Sequence, residues 1–229
     1  MRFLEKLFSK GNASLRERIP EDVTILRTGN TYLCSDRLFA SVNQEAREAV
    51  ERAKAASRSG SLNAAEREYV SAIELEPTWF LPYYELGVLL YRSGDPQRAA
   101  GYFHKSIALA PKWPAAYFNL AQVYKVFGRL HDSLQLAEKY ISMDPSDPDG
   151  YLLIGTLYMR LGDTTKESRA YEMALELDAG CLVAHLNLGL NLRAGGNSQA
   201  AHAHFSRVIE LAPAGSEIAK AARTNLATC

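Results

Sequence analysis

The segment FLPYYELGVLLYRSGDPQRAAGYFHKSIALAP, residues 80–111, decides the fold. Its first half places Tyr83, Leu86 and Leu90 at helical spacing, and Gly94 then interrupts the pattern. Apolar residues return in the second half, and a proline ends the segment. An apolar stripe with a period of about 3.6 residues marks an amphipathic helix, and glycine favours the end of one. The segment therefore predicts two helices joined by a tight turn.

The same pattern recurs along the chain with a fixed period of 34 residues. The closing positions of the segments are Pro77, Pro111, Pro145, Ala179 and Pro213, and alanine replaces proline in one of them. Counted back from these positions, five repeats begin near Ala46, Phe80, Pro114, Pro148 and Leu182. A constant period of this length indicates a solenoid, because each repeat buries its apolar faces against its neighbours.

Each repeat keeps the same residue types at the same positions. The eighth position is small and lets the paired helices approach closely, as at Gly87, Ala121, Gly155 and Gly189. Large residues at the eleventh and twenty-fourth positions fill the space between units, and the final proline stops the second helix. This pattern resembles the tetratricopeptide repeat family over residues 46–213.

The resemblance implies an all-α fold, a right-handed α-solenoid of helix-turn-helix repeats with a short N-terminal extension. The first helix of each repeat would line a concave groove that usually holds a peptide segment. We expect three regions: an extension over residues 1–42, five repeats over 43–213 and a capping helix over 214–229, with Ser216 as a candidate N-cap.

Four residues depart from the family pattern, so the packing around them is expected to differ. Glu167 replaces a small residue at the twentieth position, and Ala137 stands where an aromatic ring is usual. His185 replaces a large apolar fourth residue, and Arg52 takes an apolar position in the first repeat.

The N-terminal extension does not show the sequence pattern of the repeats. The strings VTILR, TGN and TYLCS within residues 13–42 favour a small hairpin. In the first ten residues, one helical face carries large apolar side chains, namely Phe3, Leu4, Leu7 and Phe8. This face suits either docking on the Ala-rich first repeat or a weak contact with a membrane or a partner molecule.

The family's groove positions, transferred repeat by repeat, predict the residues that contact a partner. They are Tyr84, Val88, Tyr91, Phe118, Asn119, Gln122, Lys125, Leu152, Met159, Arg160, Leu186, Asn187, Leu190 and Arg193. Such a mixture of aromatic, aliphatic, amide and basic side chains suits an extended or helical peptide with apolar anchors and at least one acidic group.

Three features of this set have a structural explanation as well as a functional one. Asn119 and Asn187 share the sixth position, where asparagine either clamps a peptide backbone or is simply an exposed polar residue. Trp79 and Trp113 either anchor a partner or pack as N-terminal staples. Basic residues recur at the twelfth or thirteenth position, where they either form a stripe for an acidic ligand or complement the helix dipole; they are Arg58, Arg92, Lys125, Arg160 and Arg193.

Composition narrows the class of function. Lys plus Arg and Asp plus Glu both number 26, so no global basic field exists to attract nucleic acid. Three cysteines without CxxC spacing are expected to be free thiols, and no stretch is apolar enough for a transmembrane helix. We therefore expect a cytoplasmic protein, with a peripheral membrane contact as the alternative.

The sequence contains no motif that indicates catalysis. It has no glycine-rich phosphate loop, nucleophile elbow or HExxH pair, and its histidines lack metal-ligand spacing. We expect no enzyme activity, no cofactor and no metal. The predicted function is an adaptor that binds a partner peptide in its groove, and the alternatives are a self-assembling coat or a membrane tether that uses the N-terminal segment.

Overall fold

The computed structural model describes residues 25–28, 31–34 and 42–228. In the first two of these ranges, β1 (Ile25–Thr28) pairs antiparallel with β2 (Thr31–Cys34) as a hairpin, where the sequence pattern favours one. The apolar face predicted for Phe3, Leu4, Leu7 and Phe8 lies outside the described residues.

Eleven helices follow in residues 42–228. They are α1 (Gln44–Arg58), α2 (Leu62–Leu75), α3 (Phe80–Ser93), α4 (Pro96–Leu109), α5 (Pro114–Val126), α6 (Leu130–Met143), α7 (Pro148–Leu161), α8 (Thr164–Leu177), α9 (Leu182–Ala194), α10 (Ser198–Leu211) and α11 (Glu217–Leu226). The first ten form five consecutive pairs, which confirms the helix-turn-helix prediction. Helix α11 follows the repeats, and the Ser216 hydroxyl caps it by accepting a hydrogen bond from the Ala219 amide at 3.4 Å.

The chain divides into two compact units, residues 1–111 and 112–229, which we call unit 1 and unit 2. In unit 1, α1 packs on α2, α2 on α3 and α3 on α4. In unit 2 the two helices of each repeat pack together, α6 contacts α7, and α8 contacts α9. Helix α11 packs on α10 and α9. Each unit therefore stacks whole repeats, as the period predicts.

The tripeptide Gly94-Asp95-Pro96 shows why the helices end where they do. Gly94 adopts φ 91° after α3, a left-handed conformation that favours glycine. The Asp95 carboxylate then accepts a hydrogen bond from the Arg98 amide at 3.1 Å. Pro96, the first residue of α4, lacks an amide hydrogen at a position where none is needed.

The small eighth position and the aromatic twenty-fourth position form a complementary pair. A Cβ atom built on Gly155 would lie under 3 Å from the Tyr171 ring, and Gly87 and Gly189 face Phe103 and Phe205 equally closely. The third repeat fills the space between its paired helices with different residues. Its eighth and twenty-fourth positions are Ala121 and Ala137, which share a buried cluster with Leu153 and Leu157. The departure at Ala137 is therefore compensated by leucines from the next repeat.

The other departures are accommodated by polar partners. Burial raises the pKa of Glu167, and a hydrogen bond from Asn191 opposes this shift. His185 pairs with His204 through their Nδ1 atoms, 2.9 Å apart. Arg52 stays exposed and forms an ion pair with Glu68 at 2.8 Å.

Candidate functional site

Most of the predicted partner-binding residues are at least partly accessible on the first helices of their repeats, but Leu152 is not. Leu152 is only 4% exposed, so it packs inside α7 and its neighbours and presents no surface to a partner. The prediction for this residue is corrected for that reason. In unit 1, Tyr84, Val88 and Tyr91 of α3 are half-buried.

Three more predicted residues already interact within unit 2. The Phe118 ring packs 5.1 Å from the Tyr140 ring, next to the alanine and leucine cluster. The Asn119 side-chain amide donates to the Ala115 carbonyl of its own helix at 3.0 Å. Burial raises the pKa of Tyr171, and a hydrogen bond with the Asn187 side chain opposes that shift. These contacts favour a structural contribution from Phe118, Asn119 and Asn187 over a dedicated peptide clamp.

Lys125 and Arg160 are brought together by the structure. They lie near the ends of α5 and α7, the first helices of two successive repeats. The Arg160 guanidinium donates a hydrogen bond to the Lys125 carbonyl at 2.5 Å. That carbonyl lies in the last turn of α5, where helix carbonyls carry partial negative charge, and it also accepts a hydrogen bond from the Gly128 amide at 3.2 Å. Arg160 is therefore a second donor to the end of a neighbouring repeat's helix, and its charge acts on the Lys125 ammonium.

The Lys125 ammonium is held in an unfavourable environment. It is half-buried. Burial, with the Arg160 charge as a second cause, lowers the pKa of Lys125 to about 8. At neutral pH the side chain is still mostly protonated, so its positive charge interacts unfavourably with that of Arg160, and no ion pair within residues 42–228 offsets it.

The remaining basic residues of the predicted stripe behave in different ways. The Arg193 guanidinium donates to the Thr228 hydroxyl at 2.6 Å, beyond the end of α11. Arg58 and Arg92 are exposed in the last turns of α1 and α3. The dipole explanation therefore fits the whole stripe, whereas Lys125 and Arg160 together form a local concentration of positive charge.

The sequence analysis missed two apolar residues beside this pair. Val126 is 53% exposed and Phe127 is 38% exposed, and both follow Lys125 directly. A comparison of repeats at the thirteenth and fourteenth positions could have found them. The third repeat has Val126-Phe127 there, whereas the second and fourth repeats begin this pair with arginine, at Arg92 and Arg160.

The analysis also missed two carboxylates on the first helices of unit 1. Glu51 and Glu85 occupy the sixth position, the same position at which Asn119 and Asn187 were noticed. Burial raises the pKa of Glu85, Lys54 opposes this shift and Glu51 adds to it. Lys54 itself pairs with Glu51 at 2.9 Å. Alignment of the repeats at the sixth position shows both glutamates, so the sequence contained the signal that identifies them.

Other candidate sites gain no support from the described residues. Trp79 and Trp113 are buried at the starts of α3 and α5, so neither presents an exposed ring. Cys181 is a buried free thiol. No group of three or more His, Cys, Asp or Glu side chains in the described ranges could hold a metal ion. In the same ranges, no helix has the length and apolarity needed to cross a membrane.

Comparison with known families identifies the repeats. The sequence profile of the tetratricopeptide repeat matches residues 50–114, 84–148 and 118–181, which together span more than half of the chain. The chain belongs to the tetratricopeptide repeat family. The family fold is that of protein-interaction scaffolds, and the all-α solenoid class predicted from the sequence is confirmed.

Solved structures of tetratricopeptide repeat proteins resemble the chain. MamA from Desulfovibrio magneticus RS-1, residues 41 to the end, is 26% identical with a TM-score of 0.69, and the match covers 75% of this chain and 97% of that one. YrrB, described as a tetratricopeptide repeat protein with an unusual peptide-binding site, is 22% identical with a TM-score of 0.59 over 70% of this chain and 82% of that one. No curated protein sequence matches the chain.

Proposed function

We propose that this protein is a non-catalytic adaptor that binds a segment of a partner protein on the first helices of unit 2, α5, α7 and α9. The single observation that supports this most strongly is the accessible, chemically mixed set of side chains those helices keep after the core is packed. The set comprises Gln122, Lys125, Met159, Arg160, Leu186, Leu190 and Arg193.

The mixture on these helices suits a peptide better than a small molecule. Small ligands are usually enclosed by a concave apolar pocket. Here the accessible residues are spread along three helices and alternate between apolar and polar types. A peptide can place side chains at intervals along such a surface, so that a few apolar anchors supply most of the affinity while amides and cations set its orientation. The peptide-binding site named for YrrB gives this proposal a precedent on the same fold.

A site-specific crosslinking experiment tests the location. A photoreactive phenylalanine analogue at Gln122, on α5, should crosslink a partner protein in extract from the source cells, and mass spectrometry should identify one recurrent segment. The matched control places the analogue at His131, an exposed residue of the second helix α6. Equal capture of the same proteins from both positions would argue against a first-helix site.

The alternative functions are a self-assembling coat that uses the N-terminal segment and a membrane tether that uses residues 1–10, and residues 1–10 lie outside the described part of the chain. Full-length protein should scatter more light as its concentration rises if the coat forms, and this growth should vanish when residues 1–40 are deleted. Cosedimentation with anionic liposomes tests the tether. Both remain predictions.

A further inference from the structure

The ends of α5 and α7 are joined by the hydrogen bond from Arg160 to the Lys125 carbonyl, and both ends carry basic and exposed apolar residues. We call these residues the basic–apolar rim, which consists of Lys125, Val126, Phe127, Met159 and Arg160. Met159 is 46% exposed, close to the exposures of Val126 and Phe127. Isolated exposed apolar residues are ordinary on protein surfaces, but a group beside unneutralised charge is less so.

Neither cation of the rim has an acidic partner in the described part of the chain. The neighbouring basic residues at the turns of unit 2 do: Arg129 pairs with Asp132 at 2.7 Å, and Lys166 pairs with Asp163 at 3.2 Å. No such ion pair involves Lys125 or Arg160 within residues 42–228. Positive charge is therefore left uncompensated at the rim and neutralised on either side of it.

The fold stabilises this arrangement only in part. The hydrogen bond from Arg160 to the Lys125 carbonyl fixes the guanidinium, but it does not neutralise the neighbouring ammonium. A half-buried cation beside a second cation is unfavourable unless an anion joins them. Perturbed charges of this kind concentrate at functional sites, where a ligand supplies the missing charge.

The apolar residues indicate which class of anion fits. Val126 is the last residue of α5, Phe127 follows it directly, and Met159 precedes Arg160 on α7. Nucleic acid would need a longer array of cations, since each phosphate contact contributes little by itself. A protein segment can supply a carboxylate and apolar side chains together.

We propose that the basic–apolar rim binds an acidic and apolar segment of a partner protein, with an aspartate or glutamate carboxylate between Lys125 and Arg160 and apolar side chains against Val126, Phe127 and Met159. This inference rests on the proposed adaptor function and names the chemistry of its partner. A carboxylate accepts hydrogen bonds from both cations, and such charge-assisted bonds are stronger than neutral ones.

The test uses full-length protein and three matched sets of fluorescent peptides. The first set has two central glutamates flanked on each side by leucine or phenylalanine, the second replaces the glutamates with glutamine, and the third with phosphoserine. Binding is followed by fluorescence anisotropy. Wild type should bind the glutamate set about tenfold tighter than the glutamine set, the difference expected for one charge-assisted interaction.

Variants then locate the acidic contact. Lys125→Met should abolish the tenfold preference for glutamate, and Lys125→Arg should retain it. The matched control is Lys139→Met, the same chemical change at an exposed lysine of α6, and it should leave binding unchanged. Circular dichroism of each variant shows that a loss of binding does not reflect unfolding.

The pH dependence gives a readout that a purely structural lysine would not produce. Arg160 on α7 is the charged group of the described residues whose field shifts the pKa of Lys125, while Arg129 and Asp132 of the adjoining turn neutralise each other. Because the pKa of Lys125 is about 8, the free protein loses this charge between pH 7 and pH 9. Binding of the glutamate peptides should weaken about tenfold over that interval, and Lys125→Arg should remove the effect.

The outcomes separate this inference from the adaptor proposal. Equal binding of the glutamate and glutamine sets, with losses in first-helix variants such as Leu190→Ala, would overturn the acidic contact and leave the adaptor intact. Failure of all peptide sets would count against both. Preference for phosphoserine would replace carboxylate with phosphate as the ligand, and association of the protein with itself that Lys125→Met reverses would identify a second copy as the occupant.

Discussion

Units 1 and 2 are built from the same repeat but carry charges of opposite sign on their first helices. Unit 1 has Glu51 and Glu85 at the sixth position, and Glu85 is partly buried with a raised pKa. Unit 2 has Lys125 and Arg160 near the helix ends, and Lys125 is half-buried with a lowered pKa. The repeat pattern fixes the small and large core positions and leaves these surface positions variable, so one scaffold can present different ligand chemistry in each unit.

The largest expected effect comes from adding a methyl group at a tightly packed glycine of unit 2, in comparison with a glycine of unit 1 that has open space around it. Gly155→Ala should destabilise unit 2 by about 1–3 kcal/mol, because the added Cβ meets the Tyr171 ring and a well-packed core resists extra volume. The matched control is Gly101→Ala in α4 of unit 1, a helical glycine with open space around its Cβ position. It should stabilise by up to about 1 kcal/mol through helix propensity.

Chemical denaturation and hydrogen exchange resolved by peptide measure both changes. Faster exchange in α7 and α8 is expected for Gly155→Ala and slower exchange in α4 for Gly101→Ala. If Gly155→Ala left stability unchanged or increased it, the close approach of Gly155 to Tyr171 would not limit packing.

The next largest effect is expected when the Lys125 charge, which distinguishes unit 2, is removed. Lys125→Met should increase the free energy of unfolding by about 2 kcal/mol at pH 7, because it relieves the burial of a cation next to Arg160. The folded-state pKa lies below the unfolded value of about 10.5. The wild-type penalty is therefore complete below pH 8 and disappears as the pH rises toward 10.5.

Urea denaturation at pH 7 and pH 10 checks this prediction. The stability difference between wild type and Lys125→Met should be large at pH 7 and small at pH 10. A decrease in stability at pH 7 would show that the lysine contributes structurally, which would also weaken the case for a binding function.

A smaller effect distinguishes the two units by their response to acid. In unit 2, burial and the charge of His185 lower the pKa of His204, so the folded state resists protonation. The Nε2 atom of His185 lies 3.1 Å from the Ala179 carbonyl and must donate to it, which leaves its Nδ1 to accept from His204. Stability from this pair is present above pH 6.5 and should decline as the pH falls to 5.

Unit 1 should respond in the opposite direction. The pKa of Glu85 is raised in the folded state, so protonation of this carboxyl favours folding as the pH falls toward its usual range. Hydrogen exchange, corrected for intrinsic rates, should show that protection increases in α3 and decreases in α9 and α10 when the pH is lowered from 7 to 5. His185→Leu should remove the loss in unit 2, and an unchanged pH response would contradict the role of the pair.

The smallest expected effect tests whether the charges act locally. Glu85→Gln should leave binding of the glutamate peptides within about twofold of wild type, since rim recognition depends on Lys125 and Arg160. Anisotropy titrations at physiological ionic strength would detect a larger change. A large gain in affinity would mean that Glu85 repels the acidic peptides and contributes to their selection.

The sequence predicted the scaffold because local signals recur in every repeat. The expected repeat starts at Phe80, Pro114, Pro148 and Leu182 are the observed first residues of α3, α5, α7 and α9, and a proline or glycine lies two or three residues before each of them. The site was less predictable. Position within a repeat identified Lys125 and Arg160, but it could not show that Leu152 is buried or that Asn119 bonds to its own helix.

By itself, the sequence determined the family, the number of repeats and the first residues of α3, α5, α7 and α9, because these depend on spacing and on turn chemistry within a few residues. Only the tertiary structure decided which side chains remain available. Burial of Leu152 and the approach of Arg160 to Lys125 depend on how one repeat packs against the next. Residues separated by about one period meet there, and the pKa of Lys125 responds to an environment that no local pattern encodes.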